Sequence, residues 1–223
     1  MILSPETPVG QIATAHPLAT KVFARHGIDF CCGGGIPLAE ACAEKSTDTA
    51  RVIEELTREI EASPAGETNW NEAPIADLIE HILTTYHAPL KEELPRIAEM
   101  MEKVHRVHGD KNIAMFDELK GLVERVKTDM ENHLPKEEQV LFPAILNKKR
   151  HMLSGPISIM EEEHEELGGM LRRIRELTDD YVAPDVACNT WRALWAALEQ
   201  LELETHEHIH LENNILHKRA FNG

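Results

Sequence analysis

The chain reads His133-Leu134-Pro135-Lys136-Glu137 and, near its other end, His208-Ile209-His210-Leu211-Glu212, so one motif of histidine and glutamate occurs twice. On an α-helix, residues four apart are rotated by about 40° and rise by about 6 Å, which places their side chains on one face. Each stretch therefore predicts a helix that presents one imidazole beside one carboxylate.

Two such helical faces, turned towards each other, form a cage of two imidazole nitrogens and two carboxylates. This mixed donor set suits a pair of borderline-to-hard metal ions better than a single zinc ion. We therefore expect a site for two metal ions, supported by the rest of the chain.

The composition indicates an all-α protein and argues against two classes of partner. Of the 223 residues only 4% are aromatic, and Ala, Leu, Glu and Arg fill long segments, which favours helix over sheet. A formal net charge of −16 disfavours nucleic acid and anionic membrane surfaces as partners, because phosphate groups are bound by clustered Lys and Arg. The acidic balance does suit a cation site.

The sequence predicts neither a secretion signal nor a membrane anchor. Its first residues lack a basic start and a continuous apolar stretch, and no later segment approaches about eighteen consecutive apolar residues. The four cysteines, two of them adjacent, do not resemble the disulfide framework of a secreted protein. We therefore expect a cytoplasmic protein with reduced thiols.

The sequence pattern of residues 1–63 predicts a small helical domain. Short helical patterns begin at Val9, near Pro17 and at Pro37, and a longer pattern follows a polar cap. Three glycines interrupt the helical pattern at residues 33–35, because they free the backbone for unusual conformations. The domain thus carries a glycine-rich turn between its helices.

Residues 63–72 form the predicted linker to a second domain. The stretch is polar, contains Pro64 and Gly66, and breaks the apolar periodicity. The second domain is expected to occupy residues 74–223.

The sequence pattern of this second domain predicts an up-down-up-down four-helix bundle. Four long helical patterns are joined by short connections, which is typical of antiparallel neighbours. Prolines in the first two patterns predict local irregularities. The patterns run from Pro74 to about Val107, with Pro89 and Pro95; from about Asn112 to Asn147, with Pro135 and Pro143; from Pro156 to about Leu177; and from Asp185 to about Ala220.

The first and third long helices each supply a further histidine at the height of the two motifs. At 1.5 Å per residue, His87 and His164 lie roughly 20 and 12 Å from one end of the bundle. His133 and His208 lie roughly 21 and 18 Å from the same end. Four helices are therefore predicted to bring one histidine each into approximately one layer.

The other histidines and glutamates are predicted to lie outside the ligand set. His206 and His210 are two residues from His208, which rotates them by about 160° on the helix, so we place them in solvent or behind the ligands. Glu138 and the glutamates of residues 161–166 are interpreted as exposed acidic faces.

With these residues in place, the chain resembles hemerythrin-like domains in its metal-site pattern. Lys136 to Pro143 and Leu211 to Asn214, together with the Asp29 to Gly34 motif, resemble more closely the iron-sulfur cluster repair di-iron proteins of the YtfE/ScdA type. The resemblance covers nearly the whole chain and both predicted domains.

The resemblance implies a non-haem centre of two iron ions with six protein ligands. Two glutamates bridge the irons, two histidines bind each iron, and an oxo or hydroxo group can complete the bridge. The implied ligands are His87, His133, Glu137, His164, His208 and Glu212.

Oxygen-carrying hemerythrins differ at two places. They have an extra histidine four residues from the third-helix ligand and an aspartate on the last helix. Here Met160 and Gly168 flank His164, and Glu212 replaces the aspartate, so reversible oxygen carriage is disfavoured.

The resemblance also implies repair of iron-sulfur clusters damaged by nitric oxide or peroxide. Its partners are then damaged or apo iron-sulfur proteins, and nitric oxide or another small diatomic ligand. Iron donation is the first hypothesis, since His and carboxylate ligands hold ferrous iron less tightly than thiolates do. A redox enzyme that reduces nitric oxide and a hemerythrin-like sensory module are the alternatives. A homodimer is a possible assembly.

Cys31 and Cys32 are the candidate thiols of the small domain. Glycines 33–35 leave the sulfurs accessible, so we interpret the pair as a thiol relay, a transient iron site or a nitrosylation target. The alternative is that both cysteines pack inside a tight turn. Cys42 and Cys188 lie in helical patterns and are predicted to be small buried residues.

Overall fold

A computed structural model of the chain describes residues 3–31, 33–61 and 68–222. The predicted thiol Cys32 and residues 63–67 of the predicted linker lie outside the described residues. Within the described part, helices are the only regular secondary structure, apart from one isolated bridge between Pro8 and Pro37. The all-α class predicted from the composition is confirmed.

The chain divides into two compact units that do not follow the order of the sequence. One consists of Met1–Ile79 and His206–Gly223, and the other of Glu80–Thr205. The C-terminal residues therefore belong to the unit that contains the short N-terminal helices.

Four short helices form the first part of the first unit. Their buried faces are apolar, with Ile12, Phe23, Leu38 and Leu56 fully inaccessible to solvent. Gly27, at a φ of +61°, ends the second helix, since glycine adopts this left-handed conformation without a steric penalty. The helices are α1 (Val9–Ala15), α2 (Ala19–Arg25), α3 (Leu38–Glu44) and α4 (Thr49–Glu61).

The glycine-rich turn packs closely against α1. The Gly10 N–H donates to the Gly34 carbonyl over 2.7 Å. A Cβ atom on Gly34 would lie 2.6 Å from the Phe30 carbonyl oxygen, so no larger residue fits this backbone. This close approach fixes the backbone at Gly34 against α1.

Long helical segments make up the rest of the described chain. Three of them contain a short π-helical stretch. They are α5 (Ile75–Ile82), a π segment (Leu83–His87) and α6 (Ala88–His108); α7 (Ile113–Lys136), a π segment (Glu137–Leu141) and α8 (Phe142–Leu146); α9 (Ser154–Leu177); and α10 (Asn189–His210), a π segment (Leu211–Leu216) and α11 (His217–Asn222).

Helices α6, α7, α9 and α10 enclose the core of the second unit. Phe116 of α7 packs edge-on against Trp191 of α10, with ring centroids 5.2 Å apart, and Trp191 packs against Trp195. Arg175 of α9 donates to Glu202 of α10 over 2.6 Å. The predicted long helices are thus observed.

Two of the π segments have a cause in the sequence. Pro89 and Pro143 each follow a π segment by two residues. A proline lacks an N–H, and its ring crowds the carbonyl four residues earlier, here that of Thr85 or Gln139 inside the π segment. The wider π turn relieves this crowding. The irregularity predicted at Pro89 is observed, whereas α6 continues through Pro95.

The last long helix starts later than predicted. The sequence predicts a start at Asp185, but α10 begins at Asn189. Residues 179–181 all have positive φ values, and the chain reaches α10 only after an irregular stretch through Pro184. Cys188 is consequently exposed and lies outside the helix, so its predicted burial is wrong.

None of the described helices combines the length and the apolar character that a membrane-spanning helix needs.

Candidate metal centre

The six predicted ligands are all buried, each with at most 3% of its surface exposed. Three of them, His87, Glu137 and Glu212, lie in the three π segments. The remaining three are histidines in ordinary helix, on α7, α9 and α10. Because π turns change the register of a helix, they often occur at functional sites, and here they set the direction of three candidate ligands.

Within the second unit, three histidines surround the carboxylate of Glu137. The Nε2 atoms of His133 and His87 lie 3.3 and 3.5 Å from Glu137 Oε2, and that of His164 lies 3.9 Å from Oε1. Among the described residues, neither oxygen of Glu137 has a hydrogen-bond partner. A fully buried carboxylate without donors is costly, and a bound cation removes that cost.

The imidazoles of His133 and His164 face each other. Their Nε2 atoms are 3.1 Å apart, and their ring centroids are separated by 4.8 Å. Two ring nitrogens this close, beside a carboxylate, converge on one position, which is the arrangement that a metal ion requires of its ligands.

The second motif repeats this pairing. His208 Nε2 lies 3.0 Å from Glu212 Oε1, and both side chains are buried. As in the first motif, the histidine and the glutamate are four residues apart in the sequence.

The candidate ligands fall into two groups that share both carboxylates. In each group the ligand atoms lie within 4.8 Å of one another, and two histidines are combined with Glu137 and Glu212. One group adds His87 and His208, and the other adds His133 and His164. The donor set of four imidazoles and two shared carboxylates therefore fits two adjacent metal ions.

A second carboxylate orients His87 from behind. The Nδ1 atom of His87 lies 2.9 Å from Glu138 Oε1, and Lys91 Nζ donates to the same carboxylate over 2.7 and 2.8 Å. Burial raises the pKa of Glu138, but the hydrogen bonds from Lys91 and His87 outweigh it and hold this pKa below its ordinary value. The Glu138 carboxylate accepts a hydrogen bond from the Nδ1–H group of His87, which leaves Nε2 of His87 available as a ligand.

His133 is oriented in the same way, by a carboxylate that is paired with a lysine. Its Nδ1 atom lies 2.8 Å from Glu163 Oε2, and Lys136 Nζ donates to the other oxygen of Glu163. Burial raises the pKa of Glu163, while the hydrogen bonds from Lys136 and His133 lower it below its ordinary value. Both His87 and His133 therefore have a fixed tautomer, with Nε2 directed towards Glu137.

Sequence reasoning missed these two outer carboxylates. Glu138 and Glu163 are predicted to be exposed acidic side chains, but they are only 24% and 32% exposed and contact candidate ligands. A weak signal was present, because a lysine follows His87 after four residues and His133 after three. Such a lysine can neutralise a carboxylate that is recruited to the histidine.

The sequence predicts that His210 lies either in solvent or behind the ligands, and the first of these locations is wrong. It does not lie in solvent, since only 3% of its surface is exposed, and its ring packs edge-on against Phe30 at 5.7 Å. Asn214 Nδ2 is 3.2 Å from its Nδ1 atom. Burial lowers the pKa of His210 to about 4, with the Phe30 main chain opposing this shift and Lys218 adding to it.

Cys31 is buried, which differs from the predicted accessible sulfur. It has 4% of its surface exposed, and both its N–H and its Sγ atom are directed at Asp29 Oδ1, over 3.0 and 3.3 Å. Asn214 Nδ2 donates to the Cys31 carbonyl over 3.2 Å. Cys31 is not a member of either ligand group, and Cys32 lies outside the described residues.

Comparison with known proteins adds family information to this geometry. Residues 78–220 match the family described as the hemerythrin HHE cation binding domain, and residues 5–59 match the ScdA_N family, a domain of unknown function. A protein named iron-sulfur cluster repair protein YtfE, from Musicola paradisiaca, is 41% identical over 218 residues, which cover 98% of this chain and 97% of the relative. Proteins of the same name from Yersinia pseudotuberculosis and Pectobacterium carotovorum are each 39% identical, with 96% of both chains covered.

Proposed function

We propose, since this chain belongs to the family of YtfE-type iron-sulfur cluster repair proteins with a hemerythrin domain, that it is a di-iron protein. Its six metal ligands would be the two histidine and glutamate groups that share Glu137 and Glu212. We further propose that it repairs iron-sulfur clusters damaged by nitrosative or oxidative stress, by donating iron to them.

The sharing of two buried carboxylates carries this proposal. A single tetrahedral ion needs four ligands, whereas six ligand residues in two overlapping groups supply two ions. Imidazole and carboxylate donors suit ferrous iron, and among the described residues neither group includes a thiolate that would favour zinc. Neutralisation of the buried Glu137 by cations also removes an electrostatic cost of the folded state.

The same donor set supports release of the metal. Soft thiolate ligands of an iron-sulfur cluster hold iron more tightly than nitrogen and oxygen donors do, so transfer towards a cluster is favourable. The protein's part is to keep His87 and His133 oriented through Glu138 and Glu163. Iron bound at this site would be the substrate that the protein delivers to a damaged cluster.

Nitric oxide reduction is the second candidate. It is favoured by the overlap of the two ligand groups, since adjacent metal ions would hold two small reactants close together. This candidate needs an electron donor, and it predicts repeated turnover rather than loss of iron.

The decisive experiment measures transfer of iron from the protein to an apo-ferredoxin. Protein loaded with ferrous iron under anaerobic conditions is freed of excess metal and mixed with an apo-ferredoxin and sulfide. We expect the visible absorbance of the rebuilt cluster to rise as iron leaves the protein. Matched controls are apo protein and the Glu162→Gln variant, whose side chain is exposed.

Three results would redirect the proposal. Iron that stays on the protein while the ferredoxin remains empty would overturn donation. When the iron-loaded protein is instead given nitric oxide and an electron donor, nitrous oxide formed over many turnovers, with the iron retained, would favour the reductase. Retained iron with neither activity, and a shape change on ligand binding, would indicate a sensory module.

We also propose that Cys31 and Cys32 act as a thiol relay during repair. The relay belongs to a unit that also contains the π segment Leu211–Leu216, where Asn214 donates to the Cys31 carbonyl. Asn214 lies two residues after the candidate ligand Glu212, so one short segment serves both the cysteine turn and the metal ligands.

A further inference from the structure

A cysteine and a histidine form a close pair at the start of α10, within the second unit. The Sγ atom of Cys188 lies 3.3 Å from His108 Nε2. Neither residue belongs to the candidate metal ligands. Cys188 is an exposed residue.

The helix behind Cys188 favours its anionic form. The Cys188 carbonyl accepts a hydrogen bond from the Arg192 N–H over 3.0 Å, so Cys188 caps the N-terminus of α10, a helix of 22 residues. The unsatisfied N–H groups at a helix N-terminus carry partial positive charge and stabilise an anion there. A thiolate at this position is therefore stabilised.

The helix behind His108 favours the opposite charge. His108 is the last residue of α6, a helix of 21 residues, and a helix C-terminus stabilises an imidazolium. Its ring packs against the ring of Trp191, with centroids 5.0 Å apart, and an aromatic face attracts a cation. Two helix ends and one aromatic ring thus favour transfer of the thiol proton to His108, and burial of the imidazole opposes it.

The loop before Cys188 is held in place. Arg192 donates from its guanidinium to the carbonyls of Pro184 and Asp185, over 3.3 and 3.1 Å, and the Ala187 N–H donates to the Pro184 carbonyl over 2.9 Å. The sulfur is therefore presented from an ordered segment, with His108 buried beneath it.

We propose that Cys188 and His108 form a thiolate–imidazolium pair, and that Cys188 is a modification site for low-molecular-weight disulfides. The Cys188 thiolate attacks one sulfur of the disulfide, a new S–S bond forms and the old S–S bond breaks. The departing thiolate takes the proton from the His108 imidazolium, which becomes neutral. The exchange consumes no external electrons, and Cys188 ends as a mixed disulfide.

The test measures reaction of the whole protein with iodoacetamide and with glutathione disulfide at neutral pH, resolved by mass spectrometry of peptides. We expect Cys188 to be alkylated about tenfold faster than the same cysteine in the unfolded chain, because the thiolate is the reacting form. Cys42 is the internal control, since it is fully buried and burial raises the pKa of its thiol.

Two variants isolate the role of the imidazole. His108→Gln keeps a polar side chain of similar size but cannot carry the proton, and we expect alkylation of Cys188 to slow by about tenfold. His105→Gln is the matched control one turn earlier on α6, where the histidine pairs with Asp117 instead, and it should leave the rate unchanged.

A purely structural contact predicts the opposite outcome. If Cys188 reacts no faster in the folded than in the unfolded chain, or if His108→Gln leaves its rate unchanged, the pair is an ordinary hydrogen bond. If His108→Gln does not fold, the ultraviolet absorbance of the thiolate is compared between the unchanged protein and Cys188→Ser. The exposed Cys188 tolerates this change. No loss of absorbance would overturn the proposal.

Discussion

Glu137 and Glu212 hold corresponding places in the candidate metal centre, because each belongs to both ligand groups and each lies in a π segment. Each also follows a buried histidine ligand by four residues. This correspondence makes the number of metal ions and the role of the shared carboxylates directly testable.

The first prediction concerns metal content. Protein loaded with ferrous iron under anaerobic conditions should retain about two irons per chain after removal of excess metal, because six ligand residues exceed the needs of one tetrahedral ion. Metal analysis and protein quantification on the same sample give the ratio. A protein that stays at one zinc after iron loading would contradict the di-iron proposal.

The second prediction concerns the shared carboxylates. Glu137→Gln or Glu212→Gln should lower the iron content from about two to below one per chain, since a ligand is lost to both metal positions at once. Glu162→Gln and Glu131→Gln change exposed side chains and should keep the iron. Equal depletion in these controls would remove the special role of Glu137 and Glu212.

The third prediction concerns the outer carboxylates. Glu138→Gln and Glu163→Gln should weaken iron binding by about 10- to 100-fold, because they release the tautomer and orientation of His87 and His133. Competition with a coloured chelator measures the affinity. Glu165→Gln is the matched control on α9, where the carboxylate contacts Arg172 at the surface. Unchanged affinity in both outer variants would reduce these contacts to surface ion pairs.

The fourth prediction concerns stability in the second unit, away from the candidate ligands. Glu202 is buried and accepts hydrogen bonds from Arg175 and from the Tyr181 hydroxyl, over 2.6 and 3.0 Å. Burial lowers the pKa of Arg175, but Glu202 and Asp180 raise it well above its ordinary value, so the guanidinium stays charged.

Glu202→Ala should therefore lower the free energy of unfolding by about 2 to 3 kcal/mol, because it leaves a half-buried guanidinium and a buried hydroxyl without their acceptor. Chemical denaturation of apo protein measures the change without a contribution from metal. Glu199→Ala removes an exposed glutamate from the same helix and should change stability by less than about 0.5 kcal/mol. Equal effects of the two variants would contradict the buried network.

The sequence was sufficient where local pattern determines the structure. Apolar periodicity and capping residues locate the long helices to within a few residues, and the repeated histidine and glutamate spacing selects residues that prove to be buried together. These features depend on contacts between residues close in sequence, for which helical geometry is known in advance.

The sequence was insufficient where contacts between distant residues decide the outcome. Glu163 meets His133 from another helix, 30 residues away, and His108 meets Cys188 across 80 residues. The exposure of Cys188 follows from a helix start four residues later than predicted, an error typical of element boundaries. Such pairings require the packed structure.

The last prediction separates the cysteine turn from the metal centre. Cys31 is outside both ligand groups, and the groups already contain six nitrogen and oxygen donor residues. The double variant Cys31→Ala, Cys32→Ala should therefore keep about two irons per chain and its helical circular dichroism.

The same variant should lose cluster repair if the thiols pass iron, electrons or nitric oxide during the reaction. Iron content, helical signal and repair rate are measured on one preparation, so that a folding defect is recognised as such. Asn214→Ala provides a graded comparison, because it removes the donor to the Cys31 carbonyl, together with the Asn214 contacts to His210 and Lys218, and retains both cysteines. Loss of iron in the double variant would make the cysteines ligands, and an unchanged repair rate would return them to a packing role.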